Sequence, residues 1–274
     1  VAHELGVRKL RITGGEPTLY PELDLLIERV GEIGFDDIAL TSNGTLLTEE
    51  RCVQWKASGL NRITISLDTL DSKKKERITR SFTPLSTVLQ SIEMARNAGL
   101  MPIKVNAVVI KGVNDDELLS FAAFAQEYAI DMRFIEFMAL DSKRSWSMER
   151  VVTAGEMKKV IEREYELVRE DDGVSSTSMN YRFASNKGRV GFIASVSQSF
   201  CHGCNRLRIL ADGNVRPCLF SDEEWSIRDL LRSDVNDNVL KQFIRDACFA
   251  KSKGHSMGHD YFLPPMKTMS TLGG

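Results

Sequence analysis

The sequence predicts an α/β protein, and three observations carry that prediction. Short β-branched runs alternate with amphipathic segments over the first 140 residues. Polar motifs, TGGEP, TSNG, SLD and EFM, each terminate one of the strand-like runs. The remaining residues change pattern, with an aspartate-glycine-asparagine turn suited to a hairpin. Regular β-then-α alternation implies parallel strands joined by right-handed crossovers, hence a barrel or an open doubly wound sheet. The elements alone do not decide between them. In either, ligands gather at the carboxyl ends of the strands.

The elements follow in order. RKLRIT (8–13) is a strand, TGGEP a turn, and ELDLLIERVGEIG (22–34) a helix with Leu23, Leu26, Ile27 and Val30 on one face. DDIALTS is the second strand, followed by the Asn43-Gly44 turn and a helix over 48–58. RITISLD is the third, and a basic stretch after it reads as irregular. A helix over 85–99 closes at Gly99, IKVNAVVI is the fourth strand, DDELLSFAAFAQEYA a helix with an acidic first turn, and DMRFIEFM the fifth strand. A boundary falls near residue 140. Beyond it come a tryptophan-bearing loop, a helix over 154–164, a polar loop through Ser178, and two strand segments, RVGFIAS and LRILADGNVRPCLF.

Composition narrows the function. The chain has 274 residues, 36 Lys and Arg against 38 Asp and Glu, and a net charge of −2. That balance gives no support for a nucleic-acid coat or a membrane-surface protein, so any anion site must be built from local cations. No apolar run is long enough to span a membrane. The five cysteines, Cys52, Cys201, Cys204, Cys218 and Cys248, are odd in number with three clustered late, which fits a reducing compartment better than a disulfide framework. Cys52 and Cys248 lie in helical pattern and are expected to be buried and inert.

Cys201-x-x-Cys204, with Cys218 across the hairpin, has metal-ligand spacing. Structural zinc wants four closed ligands. A fourth is not evident, because His202 sits between two chelating positions and His255 and His259 are remote in sequence. Three cysteines with an open position suit an iron–sulfur cluster. Arg206 and Arg208 lie two apart on an expected strand and so share a face, either simply solvated or clamping a phosphate or carboxylate. In TGGEP the two glycines make an ordinary turn or admit a ligand close to the backbone, with Glu16 accepting hydrogen bonds. Lys9 and Arg11 alternate with Leu10 and Ile12; if they point into a barrel, they need an anion. Lys104 on a buried strand is costly unless paired. Asn43, Ser66 and Asp68 read as turn or cap residues on their own, Met138 as core, and Gly273-Gly274 as a flexible tail.

Taken in order, VRKLRITGGEP, TSNG, ISLDTL, VNAVVIKGVNDDEL, RFIEFM, FCHGCNRLRILADGNVRPCLF and the terminal LGG resemble one family over essentially the whole chain. It is the molybdenum cofactor biosynthesis protein A family, GTP 3′,8-cyclases of the radical S-adenosylmethionine superfamily. The resemblance implies a partial TIM-type barrel over 1–140 and an extension over 141–274 that holds a second [4Fe-4S] cluster and GTP. Cys201, Cys204 and Cys218 would hold that cluster, its open iron facing guanine. Arg11, Ser42, Lys104, Arg206 and Arg208 would bind GTP, and Gly15, Ser66 and Met138 S-adenosylmethionine. Arg206, Arg208, Gly273 and Gly274 would serve the cyclisation.

The implied reaction converts GTP to (8S)-3′,8-cyclo-7,8-dihydroguanosine 5′-triphosphate, the first step toward molybdopterin. The implied next enzyme is cyclic pyranopterin monophosphate synthase, and the implied setting is the cytoplasm or mitochondrion, with a homodimer as the assembly. The family's first cluster uses a C-x-x-x-C-x-x-C motif that this sequence lacks, so that motif and the first strand–helix unit are expected upstream of Val1, activity requires them, and the sheet edge is left open. Two other readings stand beside this one: a radical enzyme acting on a peptide, and a non-catalytic, zinc-stabilised nucleotide-binding module.

Overall fold

The structure, a computed structural model, describes the chain apart from residues 142–144, 172, 253, 256, 258–261 and 274. β1 (Lys9–Ile12) leads into the glycine turn, and Pro17 opens a 3₁₀ turn, where its fixed φ and missing N–H cost nothing. α1 (Leu23–Ile33), β2 (Asp37–Ser42), α2 (Glu49–Ala57) and β3 (Arg62–Ser66) follow as the periodicity predicts. Thr48 caps α2, its side chain accepting from the Arg51 N–H at 3.2 Å.

The basic stretch after β3, expected to be irregular, is a helix, α3 (Ser72–Thr79). Its charges find partners that local sequence cannot supply. Asp71 accepts from the Lys74 N–H at 2.8 Å, Lys74 pairs with Asp116 at 2.6 Å and Glu117 at 3.1 Å, and buried Lys75 donates to the Thr83 carbonyl at 2.6 Å. α4 (Leu85–Asn97), β4 (Lys104–Val109), α5 (Leu118–Glu127) and β5 (Asp131–Glu136) complete the regular alternation.

Strand order decides what the sequence left open. β1 to β5 lie side by side in chain order and all pair in parallel. Every crossover therefore steps the same way, and right-handed connections put the intervening helices on one face. A doubly wound sheet would reverse direction partway. The arrangement is that of an open, incomplete barrel. After α6 (Ala154–Ile161), the strands β6 (Leu167–Arg169), β7 (Met179–Phe183) and β8 (Arg189–Ile193) join the same sheet. β8 extends it in parallel from β5, while β7 and β6 add antiparallel, so the sheet runs on past residue 140 with β1 and β6 at its edges.

The two late strand segments part company: RVGFI joins this large sheet, whereas the other forms a second, three-stranded one. That small sheet comprises β9 (Arg208–Ile209), β10 (Asn214–Arg216) and β11 (Trp225–Ser226), with α7 (Ile227–Arg232) and α8 (Asp237–Phe249) packed beside it. A short final helix, α9 (Met269–Leu272), belongs to neither sheet.

The large sheet has two unlike faces. Ile38, Leu40, Ile63, Ile65, Val105, Ala107, Met132, Phe134, Val190 and Phe192 are buried under the helices with Ile27, Trp55, Ile92, Phe121 and Met157. Side chains alternate along a strand, so the residues between them face the other way. There stand Arg11, Thr41, Arg62, Thr64, Ser66, Lys104, Asn106 and Arg133. Cys52 lies fully buried in the helical layer, and burial lifts its thiol to about 11. Cys248 corrects expectation: it is exposed, beside exposed Phe249, because the last turn of α8 gives Ala247, and not Cys248, to the small core of Val215, Ile227, Leu240 and Ile244. Among the described residues no helix is long and apolar enough to cross a membrane.

Candidate functional site: a cationic sheet face, three thiols and a docked tail

The cations gather at the amino-terminal ends of the strands. Register sets Arg11 beside Ala39 and Ala39 beside Arg62, while Thr64 lies beside Lys104. Arg11 remains open to solvent yet is walled by protein. Burial first, then the charges of Arg62, Arg133 and Arg206, bring its pKa down to about 10. Lys104 is moved further: burial, with Arg133, Arg62 and Arg11 nearby, lowers it to about 7 against only partial compensation by Asp131. Arg62 is partly neutralised by a paired contact with Asp37, Nε at 2.8 Å and Nη2 at 2.6 Å. Cations crowded together in this way suit a polyanion, whose charge would offset both their burial and their mutual repulsion.

Arg206, just ahead of the small sheet, brings its charge close to Arg11, and Arg208 on that sheet lies close to Arg206. Arg208 sits opposite Arg216 in the β9–β10 register. Arg216 is fully buried, with its charge met by Asp222 at 2.8 Å and Glu224 at 3.8 Å. Arg208 is left facing Arg206, and burial followed by that neighbour lowers it to about 10. The expectation that Arg206 and Arg208 share one strand face needs correction, because β9 begins only at Arg208. Arg206 instead turns back on the cysteine loop: its Nε and Nη2 each lie 3.3 Å from the Cys204 sulfur, and its guanidinium lies 5.0 Å from the centre of the Phe200 ring.

Cys201 and Cys204 stand on a 3₁₀ turn closed by the Cys204 N–H donating to the Cys201 carbonyl at 3.1 Å. Gly203 is required there, since a Cβ would lie 2.2 Å from the Val174 carbonyl oxygen. Cys218 follows β10, and Cys204 and Cys218 are both close enough to Arg208 to hold its proton on. Burial alone would raise the Cys204 thiol. Hydrogen bonds from Arg206 and from Lys251 Nζ at 3.1 Å, with the Arg206 charge, outweigh burial and bring it to about 7.

Among the described residues no three His, Cys, Asp or Glu side chains converge at metal-binding distance. The donor chemistry nonetheless fits an iron–sulfur group: Cys201 and Cys204 on one turn, Cys218 after β10, and the Cys204 sulfur, inclined to thiolate, met by N–H donors of Arg206 and Lys251 that stabilise ligand sulfur. His202 is exposed, and the His255 ring packs on Phe220 with centres 4.5 Å apart. His259 lies outside the described residues.

The carboxyl ends of the strands form the other end of the site. Gly15 and Ser66 are exposed there. Ser42 is buried: its hydroxyl donates to Glu16 at 2.7 Å and accepts from the Gly44 N–H at 3.1 Å, so it braces the loop. Glu16 also accepts from the Asn43 N–H at 2.7 Å and the Thr18 hydroxyl at 2.6 Å, which ties the ends of β1 and β2 together. Asp68 accepts from the Val108 N–H at 2.8 Å, and burial raises its pKa.

Met138 packs with Leu140, Leu210 and Leu272, the last from the chain's final turn. The tail is anchored along its length. Lys267 pairs with Asp212 at 2.9 Å and Glu224 at 2.7 Å, and the Met269 N–H donates to the Leu140 carbonyl at 2.9 Å. Gly273 ends against Thr13, where an added Cβ would come within 3.1 Å, and its φ of 81° suits glycine. Gly274 lies outside the described residues.

The structure thus brings together Arg11, Lys104, Arg206 and Arg208 with the three-cysteine loop, and sets Gly15, Ser66, Met138 and Gly273 at the opposite strand ends. Sequence reasoning missed Arg62, Arg133 and Lys251. The first two were legible as alternate polar positions on otherwise apolar strands; Lys251, at the end of α8, carried no local signal.

Matches to known proteins agree in class and then in kind. Residues 1–125 match the radical SAM superfamily and residues 130–257 match Molybdenum Cofactor Synthesis C. Among solved structures, Streptococcus suis SuiB bound to S-adenosylmethionine aligns with a TM-score of 0.57 at 16% identity, covering 86% of this chain and 56% of that one. Native anSMEcpe with bound AdoMet aligns with a TM-score of 0.56 at 13% identity, covering 89% of this chain and 67% of that one. The fold is therefore the partial TIM-type barrel of radical SAM enzymes.

Sequence relatives specify the kind. GTP 3′,8-cyclase of Thermodesulfovibrio yellowstonii is 40% identical over 273 residues, 99% of this chain and 83% of the relative. The Streptomyces coelicolor GTP 3′,8-cyclase is 39% identical, covering 98% and 80%, and the mitochondrial enzyme of Arabidopsis thaliana 38%, covering 98% and 69%. The chain belongs to the GTP 3′,8-cyclase family of molybdenum cofactor biosynthesis. That membership sets aside the reading as a non-catalytic zinc module.

Proposed function

We propose that this chain binds GTP between the cationic sheet face and the cysteine loop and directs its 3′,8-cyclisation. The observation that carries the reading is the convergence of Arg11 and Lys104 on the large sheet with Arg206 and Arg208 beside the cysteines, and burial together with neighbouring positive charge depresses Arg11, Lys104 and Arg208 in a way a triphosphate would relieve. These cations hold the phosphates, and Ser42 contributes through the loop it braces. Cys201, Cys204 and Cys218 hold a second [4Fe-4S] cluster against the base. Gly15, Ser66 and Met138 hold S-adenosylmethionine at the other end. Bound there, S-adenosylmethionine and its own iron–sulfur cluster supply the one-electron chemistry that opens the reaction.

The protein's contribution is position. Fixing the nucleotide at its phosphates and its base leaves the ribose one place to be, so C3′ and C8 meet before a side reaction intervenes. Gly273, against Thr13, lines that place with backbone rather than side chain, and the family reading gives Gly274 the same service. In this reading residues 1–140 serve S-adenosylmethionine and residues 141–274 the second cluster, with GTP held between them by Arg11 and Lys104 from the first and Arg206 and Arg208 from the second. The product then passes to cyclic pyranopterin monophosphate synthase, in the cytoplasm or mitochondrion, from a homodimer. Replacing Arg206 or Arg208 by alanine in the full-length protein tests the reading. GTP affinity should fall about 10- to 100-fold, the loss expected for one charge-assisted contact. Unchanged affinity and cyclisation would overturn it.

A further inference from the structure

On the polar face of the large sheet, two hydroxyls have no hydrogen-bond partner within the described protein: Thr41 Oγ1 on β2 and Thr64 Oγ1 on β3. The residues are directly paired in the parallel register, so the hydroxyl-bearing side chains lie side by side on one face. They are 5% and 1% exposed. A buried hydroxyl left without a partner costs stability, and valine has the same shape without that cost. Packing therefore gives no reason for threonine at either position, and the two occur together.

Their place along the strands indicates what they serve. On β3 the same face carries Arg62, then Thr64, then Ser66, each step about 6–7 Å along the strand. Arg62 belongs to the cation cluster, and Lys104 is the register neighbour of Thr64 on its other side. Ser66, exposed, stands at the carboxyl end of β3, the end of the sheet at which Gly15 follows β1 and meets the tail at Ser270. The sequence of environments is cation, uncharged hydroxyl, open mouth. A nucleotide placed with its phosphates on the cations puts an uncharged, hydroxyl-rich group at the middle step, and that group is its sugar.

We propose that the Thr41 and Thr64 hydroxyls bind the ribose hydroxyls of the nucleotide and give the site its preference for a ribonucleotide. This role rests on the nucleotide reading above. Each threonine hydroxyl can donate and accept, as can a sugar hydroxyl, so the match needs no charge. The pair would also orient the ring, since two neighbouring contacts fix rotation where one does not.

The test uses T41V, T64V and the double variant in the full-length, anaerobically reconstituted protein, with melting temperature and affinity for GTP, 2′-deoxy-GTP and 3′-deoxy-GTP as readouts. Each single variant should melt at the same temperature as wild type or higher, because a stranded hydroxyl is gone. Each should bind GTP about 3- to 10-fold more weakly, the loss expected for one neutral hydrogen bond. Affinity for the deoxy analogue lacking the contacted hydroxyl should stay level, so in the double variant the preference for GTP over the deoxy analogues shrinks toward one. A lowered melting temperature with unchanged GTP affinity would overturn the proposal, and so would equal weakening toward all three nucleotides. A wild-type protein that binds none of them overturns the nucleotide reading and this role with it. Wild-type binding with variants that discriminate as before overturns this role alone.

Discussion

The strand β3 shows two regions of the molecule on a single backbone. Ile63 and Ile65 point to the helices and are fully buried in a continuous apolar core, whereas Arg62, Thr64 and Ser66 point the other way into a face crowded with cations. The helix-facing side is built for stability alone: each isoleucine removed from water contributes about 1.5–3 kcal/mol. The polar side works against stability, with arginines and a lysine close enough to depress one another and hydroxyls left without partners. Local rules are obeyed on one face and broken on its reverse, and such breaks mark function.

Substitutions on the two faces should therefore separate folding from binding. The largest effect on folding belongs to the helix-facing side. Ile63→Ala should cost about 2–5 kcal/mol, read from the shift in urea midpoint, while the folded fraction keeps its GTP affinity. Cys204→Ser should leave that midpoint nearly unmoved but lower the iron and sulfide content of anaerobically reconstituted protein. Retained iron would remove Cys204 from the ligand set.

Lys104→Met should invert the first result, raising stability while weakening GTP binding. Its pH dependence sharpens the contrast. With a folded pKa of about 7 against 10.5 ordinarily, the folded state sheds this proton while the unfolded chain keeps it. Wild-type stability should therefore rise with pH above about 7 toward 10.5, and below 7 the penalty of the charged form is fully present. GTP affinity should run the other way, falling by up to about tenfold per unit above pH 7 as a proton must be taken up on binding. Both slopes should flatten in the methionine variant. The smallest effect is expected from Lys267→Glu. It should leave the core untouched but free the tail, seen as faster carboxypeptidase digestion from the carboxyl terminus; an unchanged rate would show that Leu272 and Met269 suffice as anchors.

The alternation of strands and helices through β5, the Asn43-Gly44 turn, the close of α4 near Gly99 and the Cys201-x-x-Cys204 spacing were all legible in the sequence, because each depends on neighbours a few residues apart. The helix at α3 was not. Its lysines look like a breaker until Asp116, Glu117 and the Thr83 carbonyl meet them from elsewhere in the chain. The strand β6 falls within the stretch expected to be a polar loop, and β7 lies in a stretch for which the sequence suggests no element, because their apolar sides count only once β8 stands beside them. Ser42 illustrates the same limit within the site. Sequence marks a hydroxyl at a strand end, but its orientation toward Glu16 depends on how the ends of β1 and β2 meet.

By itself the sequence determined the α/β class, the family and the residue types the chemistry needs: cations on alternate strand positions, three spaced cysteines and glycines at the tail. Periodicity, turn chemistry and ligand spacing are local quantities, so a linear chain can carry them. Only the tertiary structure decided that the strands run in one direction around an open barrel, and that Arg206 folds back on Cys204 rather than along β9. It also set Thr41 beside Thr64, and Gly273 against Thr13. The pairing of Thr41 with Thr64 and the docking of Gly273 are contacts between segments far apart in the chain, fixed by parallel register, by burial of the helix-facing side and by the ion pairs of Lys267.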